Sequence, residues 1–267
     1  MPELPEILKL SRQLDERLYG KQITSVEVLQ SKCLNIPVEE FQSALTGALI
    51  DHTRSRGKWI LTHTSRGWLL LNLGMGGELL LVNRETLPEK IRLIFDFSDG
   101  TCLAVNFWWF GYAHFQGEDQ LDRHEMVSRI GPNALDVSSQ ALGQMLAGQR
   151  GQIKSFLLDQ SHLSGIGNSY VHDILFMARL HPLRKIPTLS QADIQSLWQA
   201  IQDGLRPSLE KGGAFYEMDT YGEKGGFTMN DILIGYKEGQ PCPVCGTSIQ
   251  KIKTGGTYSF ICPACQL

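Results

Sequence analysis

The chain has no apolar run approaching the roughly 18 residues that a membrane span requires, and its first residues show no basic stretch leading into a long apolar one. Neither a transmembrane segment nor a secretory signal is expected, and the expected location is the cytoplasm. It also has no excess of positive charge. The net charge is −3 and the pI about 6.2, which weakens any non-specific pull towards polyanions. There is no internal repeat and no low-complexity tract. Cysteine is scarce, six in 267 residues, and four of the six sit in two C-x-x-C pairs, which does not resemble a disulfide framework.

With 42% hydrophobic residues the chain can bury a sizeable core, and its length suggests about two domains. The charge is unevenly spread. Residues 117–125 are acidic (Glu118, Asp119, Asp122, Glu125), whereas residues 150–185 carry Arg150, Lys154, Arg179, Arg184 and Lys185 against Asp159 and Asp173. A local basic face is enough for phosphate contact.

Apolar positions Leu4, Ile7, Leu8, Leu14 and Leu18, followed by Gly20, predict an amphipathic helix that opens at Pro5. Alternating segments at 23–28, 58–63, 68–72, 78–82, 91–97 and 101–107 predict strands, with Ser98-Asp99-Gly100 as a hairpin turn and a short helix at 41–49. Many short strands imply a sandwich or a barrel. After an acidic surface segment at 116–125 the pattern becomes helical: 140–147 capped by Ser138 or Ser139, 153–159, 168–179 opened by Asn168, and 190–209. Residues 214–226, rich in glycine, read as a mobile loop.

Cys242-Pro-Val-Cys245 and Cys262-Pro-Ala-Cys265 have the spacing of a zinc site. Each pair puts two thiolates on one turn, and four protein ligands fill a tetrahedral, structural Zn²⁺ site, one per chain. Residues 249–253 and 258–261 predict the hairpin between the knuckles, around Gly255-Gly256. The turn Ser164-Gly165-Ile166-Gly167-Asn168 exposes backbone N–H groups at a helix start, a geometry suited to phosphate. Arg56-Gly57-Lys58 is a basic turn before a strand. Asn72-Leu73-Gly74-Met75-Gly76-Gly77 puts a methionine on a glycine loop, where an apolar wedge can enter a base stack. Asn106-Phe-Trp-Trp-Phe110-Gly111 is a dense aromatic cluster that can stack on bases or fill a core. At the start, Pro2 is small enough for Met1 to be removed, which leaves a secondary amine beside Glu3. Such an amine attacks an aldehyde-level sugar carbon and gives a charged iminium.

In this order the motifs resemble the formamidopyrimidine-DNA glycosylase / endonuclease VIII family, and the resemblance runs nearly end to end. Pro2-Glu3-Leu4-Pro5-Glu6 is similar to the family's N-terminal signature, Arg56-Gly57-Lys58 to its catalytic-lysine hairpin, and Leu73-Gly74-Met75 and Phe110-Gly111 to its intercalation loops. Gly165–Tyr170 is similar to its helix–two-turn–helix clasp, and the four cysteines to its zinc finger. The implied fold is α+β and multidomain. An N-terminal β-sandwich catalytic domain with an N-terminal helix is expected at 1–125, and a helical helix–two-turn–helix DNA-binding domain at 126–225. A Cys₄ zinc-finger β-hairpin is expected at 226–267.

The implied function is base-excision repair: a DNA glycosylase with AP lyase activity on oxidised bases, by β- or β,δ-elimination through a Schiff base at Pro2. Pro2, Glu3 and Lys58 would be catalytic; Asn168, Gly167, Met75, Asn72, Trp108 and Phe110 would contact DNA. The partner would be damaged DNA, duplex or single-stranded, bound by a monomer with no membrane association in the bacterial nucleoid.

Several positions depart from the family's pattern. Trp108-Trp109 stand in place of an arginine pair, Asn72 in place of a histidine, Thr257 in place of the finger's arginine, and Ser161 and His162 where a lysine is usual. Each lost phosphate contact flattens salt dependence and lowers duplex affinity. The alternative reading is therefore a catalytically weakened protein of the same fold that binds damaged or structured DNA.

Overall fold

In the computed structural model, which describes residues 1–108 and 110–267, the chain forms two units. The first comprises Met1–Arg129 with Lys211–Gly226, and the second Ile130–Glu210 with Phe227–Leu267. The sequence-based domain limits differ from this division. Residues 211–225, placed with the helical domain from sequence, fold with the N-terminal unit, and the finger belongs with the helices.

The first unit begins with α1 (Leu4–Leu18). Its Leu4, Ile7, Leu10, Leu14 and Leu18 are buried, one face of a 3.6-residue repeat. Eight strands follow: β1 (Ile23–Val28), β2 (Ile50–Arg56), β3 (Trp59–Thr64), β4 (Gly67–Asn72), β5 (Glu78–Asn83), β6 (Leu93–Phe97), β7 (Thr101–Asn106) and β8 (Tyr112–Gln116), with α2 (Val38–Leu45) after β1. They make two four-stranded antiparallel sheets, ordered β1-β6-β7-β5 and β2-β3-β4-β8. Ile23, Phe95, Leu103 and Val105 of one sheet share a core with Ile50, Ile60, Leu69 and Leu71 of the other and with α1, which makes the β-sandwich. The β6–β7 turn is the expected one: Gly100 sits at φ +86 and its N–H donates to Phe97 O at 3.0 Å.

Two strands were not legible. β2 reads Ile-Asp-His-Thr-Arg-Ser-Arg, with few apolar residues, and β8 follows the aromatic cluster without a clear alternation. The acidic 116–125 segment holds a short 3₁₀ stretch, Glu118–Arg123.

The second unit holds α3 (Ser139–Leu146), α4 (Ile153–Leu158), α5 (Val171–Met177), α6 (Gln191–Glu210), and a hairpin of β9 (Gln250–Thr254) and β10 (Thr257–Ile261). Ser138 Oγ accepts from Ala141 N at 3.1 Å and caps α3. α5 starts three residues later than the helix expected at 168, because residues 168–170 are spent on the turn. Gly204 lets α5 approach α6: a Cβ there would lie 2.7 Å from Ile174. Phe176 of α5 joins Ile234, Ile249 and Phe260 in the core beneath the finger. No helix among the described residues is long and apolar enough to cross a membrane.

Candidate active site and nucleic-acid interface

The start of α1 is built from carboxylates. Glu3 and Glu6 form a reciprocal capping box, in which each side chain accepts from the other's backbone N–H; Glu3 N donates to Glu6 Oε2 at 2.9 Å. Both are buried, at 4% and 5% exposure. Glu6 Oε1 also accepts from Ala214 N at 3.0 Å. The helix thus binds the loop Lys211–Gly226 through its first turn, and the contact continues along one face. Lys9 Nζ meets Asp219 Oδ2 at 3.0 Å. Gln13 donates to the same carboxylate and accepts from Thr220. Arg17 donates to Tyr221 OH at 2.6 Å. The loop expected to be mobile is fastened at four successive positions of α1.

A third carboxylate comes from that loop. Glu217 Oε1 lies 3.4 Å from the amino terminus of Met1. Burial pushes its carboxyl up to about 7; the terminal amine opposes the rise, and Glu6 and Glu3 add to it. Pro2, the next residue after Met1, is buried. Glu6 and Glu217 were not among the residues singled out from sequence. The only sequence signal was the Glu3-x-x-Glu6 spacing of a capping box; one of three acids in a glycine-rich loop carries none.

Lys58 occupies the second position of the two-residue turn between β2 and β3. Gly57 at φ +57 supplies the conformation such a turn needs at its first position. Asn72 braces this turn: its Nδ2 donates to Lys58 O at 3.1 Å and its Oδ1 accepts from Gly74 N at 3.0 Å. The loop it starts has no room for a side chain at Gly77, where a Cβ would lie 2.1 Å from Leu73 O. Met75 at the loop tip is 53% exposed, Trp108 63% and Phe110 71%. Trp108 packs on Gly76, where a Cβ would meet its ring at 3.3 Å. Phe110 is held at φ +57, a costly conformation for an aromatic residue and a mark of functional sites. Trp109 lies outside the described residues.

In the second unit, Asp159 Oδ1 accepts from Ser161 N and Oγ, and Gln160 Oε1 accepts from Gly165 N at 2.8 Å. These bonds shape the turn that ends at buried Gly167 and exposed Asn168. Ser161 and His162 are therefore used, at least in part, to form the turn.

The four cysteine Sγ atoms lie within 4.8 Å of one another. Cys245–Cys262, Cys245–Cys265 and Cys242–Cys265 are 3.4, 3.5 and 3.9 Å apart, close to the ~3.8 Å edge of a ZnS₄ tetrahedron. Thr247 bonds hold Cys245 down to about 6, while its proximity pushes Cys265 up to about 12. Four such thiols ionise together only around a cation, so the donor set fits structural zinc. The hairpin is held to α4 by Lys154. Its Nζ is buried and donates to Thr254 Oγ1, Thr257 Oγ1, Tyr258 O and Ser259 Oγ at 2.7–3.1 Å. Thr257 is one of these acceptors.

Comparison with known proteins gives three matched segments. They are the formamidopyrimidine-DNA glycosylase N-terminal domain over residues 1–106, the H2TH domain of the same proteins over 130–219, and the zinc finger found in FPG and IleRS over 239–267. The formamidopyrimidine-DNA glycosylase of Streptococcus mutans is 34% identical over 273 residues, covering 100% of this chain and 99% of the relative. This chain belongs to the formamidopyrimidine-DNA glycosylase family. The Chloroflexus aurantiacus formamidopyrimidine-DNA glycosylase is 32% identical and is covered to 98%. A Lactococcus lactis Fpg solved with abasic-site DNA superposes with a TM-score of 0.89 at 29% identity and 99% coverage of both chains. A formamidopyrimidine-DNA glycosylase is thus matched from first element to finger, and the resemblance read from the motifs holds.

Proposed function

We propose that Pro2, freed by removal of Met1, is the nucleophile of a bifunctional DNA glycosylase and AP lyase acting on damaged DNA. The observation that carries this reading is that buried Pro2 directly precedes the Glu3–Glu6 capping box, with Glu217 held at the amine one residue away. A helix N-terminus disfavours a positive charge, while three carboxylates favour one. Glu217, sitting one peptide unit from the Pro2 nitrogen, accepts its proton. The free amine then attacks C1′ of the flipped nucleotide, and the base leaves with the electrons of the glycosidic bond. Loss of the remaining N–H proton and opening of the C1′–O4′ bond, with Glu3 protonating the ring oxygen, leave the iminium. The iminium acidifies the 2′ hydrogen; its loss expels the 3′ phosphate and cuts the strand.

Lys58 and Asn168 supply phosphate contacts, and Met75, Trp108 and Phe110 fill the gap in the stack. Asn72 acts by holding the Lys58 turn and the Met75 loop, since its amide is bonded to both. Oxidised bases are the substrate class. The relatives from L. lactis were solved on Fapy-dG and abasic-site DNA.

Borohydride reduction with abasic-site duplex should trap a covalent adduct, mapped by mass spectrometry to residue 2. A chain with an intact N-terminal proline that binds the duplex but gives no adduct would instead be a damaged-DNA-binding protein.

A further inference from the structure

A second cluster of chemistry-bearing side chains lies on the β2–β3–β4–β8 sheet of the first unit, and nothing in the base-excision chemistry uses it. Ile50 pairs with Thr64 and His52 with His63, which leaves Asp51 as the extra, unpaired residue of a β-bulge. In an unbroken strand Asp51 and His52 would face opposite sides. A bulge re-aims a side chain, and here the Asp51 carboxylate turns onto the face of the histidine pair. Its Oδ2 lies 2.8 Å from His52 Nδ1 and 2.9 Å from His63 Nδ1. The three donor atoms all fall within 4.8 Å of one another.

The far side of His63 is also engaged: Nε2 meets Glu118 Oε1 at 2.7 Å and Oε2 at 2.9 Å. A neutral imidazole has one N–H, so with a carboxylate at each nitrogen the ring is satisfied as imidazolium. A metal cation can take the place of the proton at Nδ1, between the ring and Asp51. It leaves Nε2–H donating to Glu118, the carboxylate–histidine arrangement usual behind a metal-binding imidazole.

We propose that Asp51 Oδ2, His52 Nδ1 and His63 Nδ1 form a binding site for a borderline divalent transition ion of the Zn²⁺ or Ni²⁺ class, with Glu118 as the outer carboxylate. Two imidazoles and one carboxylate select such ions over Mg²⁺ or Ca²⁺, which take oxygen ligands. A tetrahedral site has donor–donor edges of about 3.4 Å, so the short pairs must open by roughly half an ångström. Asp51 and His52 are exposed enough to do so. The ion fixes the Glu118–Arg123 segment to β3 through His63; the same segment meets β2 at the long Arg56–Asp122 pair, 4.0 Å. Trp68 lies against both imidazoles, with ring centroids 4.6 Å from His63 and 5.4 Å from His52, and reports occupancy.

The test is titration of the zinc-loaded full-length protein with Ni²⁺, read by calorimetry and by quenching of tryptophan fluorescence, with released zinc measured in parallel. One further saturable equivalent that quenches fluorescence without zinc release is expected. His52→Ala, at an exposed position, should abolish it, and Glu118→Gln should weaken it about 10- to 100-fold. A wild-type protein that takes up no further equivalent, binding that releases finger zinc, or unchanged binding in His52→Ala and Asp51→Asn would each overturn the proposal.

Discussion

Two regions of the first unit invert the ordinary placement of side chains, in opposite senses. At the start of α1, carboxylates that belong in water are buried: Glu3 and Glu6 lock each other's backbone, and Glu217 is driven towards its neutral form. On the Met75 loop and around Trp108 and Phe110, apolar side chains that belong in a core stand in solvent. Each inversion costs stability in the free protein, and each makes sense only for a ligand. In the proposed function the first region manages a proton on an amine and the second offers surface to stacked bases. On that reading chemistry and base extrusion belong to separate, independently breakable parts.

The largest expected effect lies in the polar region. Glu217→Gln should slow borohydride trapping by on the order of 10², and should remove an acid limb from the pH profile of the processed enzyme. Equal trapping rates for the variant and the parent would separate Glu217 from proton transfer. Next is Gly77→Ala, whose methyl group would meet Leu73 O; overpacking of this kind costs about 1–3 kcal/mol. A thermal melt should show the loss, and an unchanged melting temperature would mean that the loop is softer than its geometry states.

Phe110→Ala should lower cleavage of a lesion in duplex about tenfold, at the low end of 1–3 kcal/mol per stacked base. Cleavage of the same lesion in a single strand should hardly change. Equal losses on both substrates would merge the two regions into one function. A separate effect, on stability alone, concerns a chain that keeps Met1. There the Glu217 carboxyl is raised from 4.5 to about 7. The folded state then binds more protons than the unfolded state between those values. Its contribution to stability is full below about pH 4.5 and is lost as pH rises through about 7. Melting temperature should therefore fall over that window relative to Glu217→Gln.

What sequence revealed divides along physical lines. Helix α1, the Ser98-Asp99-Gly100 turn and the Cys₄ knuckles are set by local periodicity, turn chemistry and ligand spacing, and all three are legible in a few adjacent residues. β2 was missed because Asp51, His52 and Arg54 dilute its pattern, and the bulge at Asp51 breaks its period. The start of α5 was placed too early because Asn168 looks like a cap, whereas the chain needs three more residues to complete the turn. Pro2, Glu3 and Lys58 were singled out through motif order. Glu6 and Glu217 escaped because their contacts join residues about 210 positions apart. Asn72 was read as a DNA contact; its side-chain bonds to Lys58 and Gly74 were not legible.

The fastening of Lys211–Gly226 along Glu6, Lys9, Gln13 and Arg17 also fixes an order of events during synthesis. The helix that follows the proposed nucleophile leaves the ribosome first, but the segment fastened to it is made some 200 residues later. Nascent chains are made at about 5–20 residues per second, so the terminal amine waits at least ten seconds for Glu217. Met1 stays exposed in the folded chain, but its amine is then held by that carboxylate. A split chain that supplied the loop early would be expected to lose its methionine more slowly.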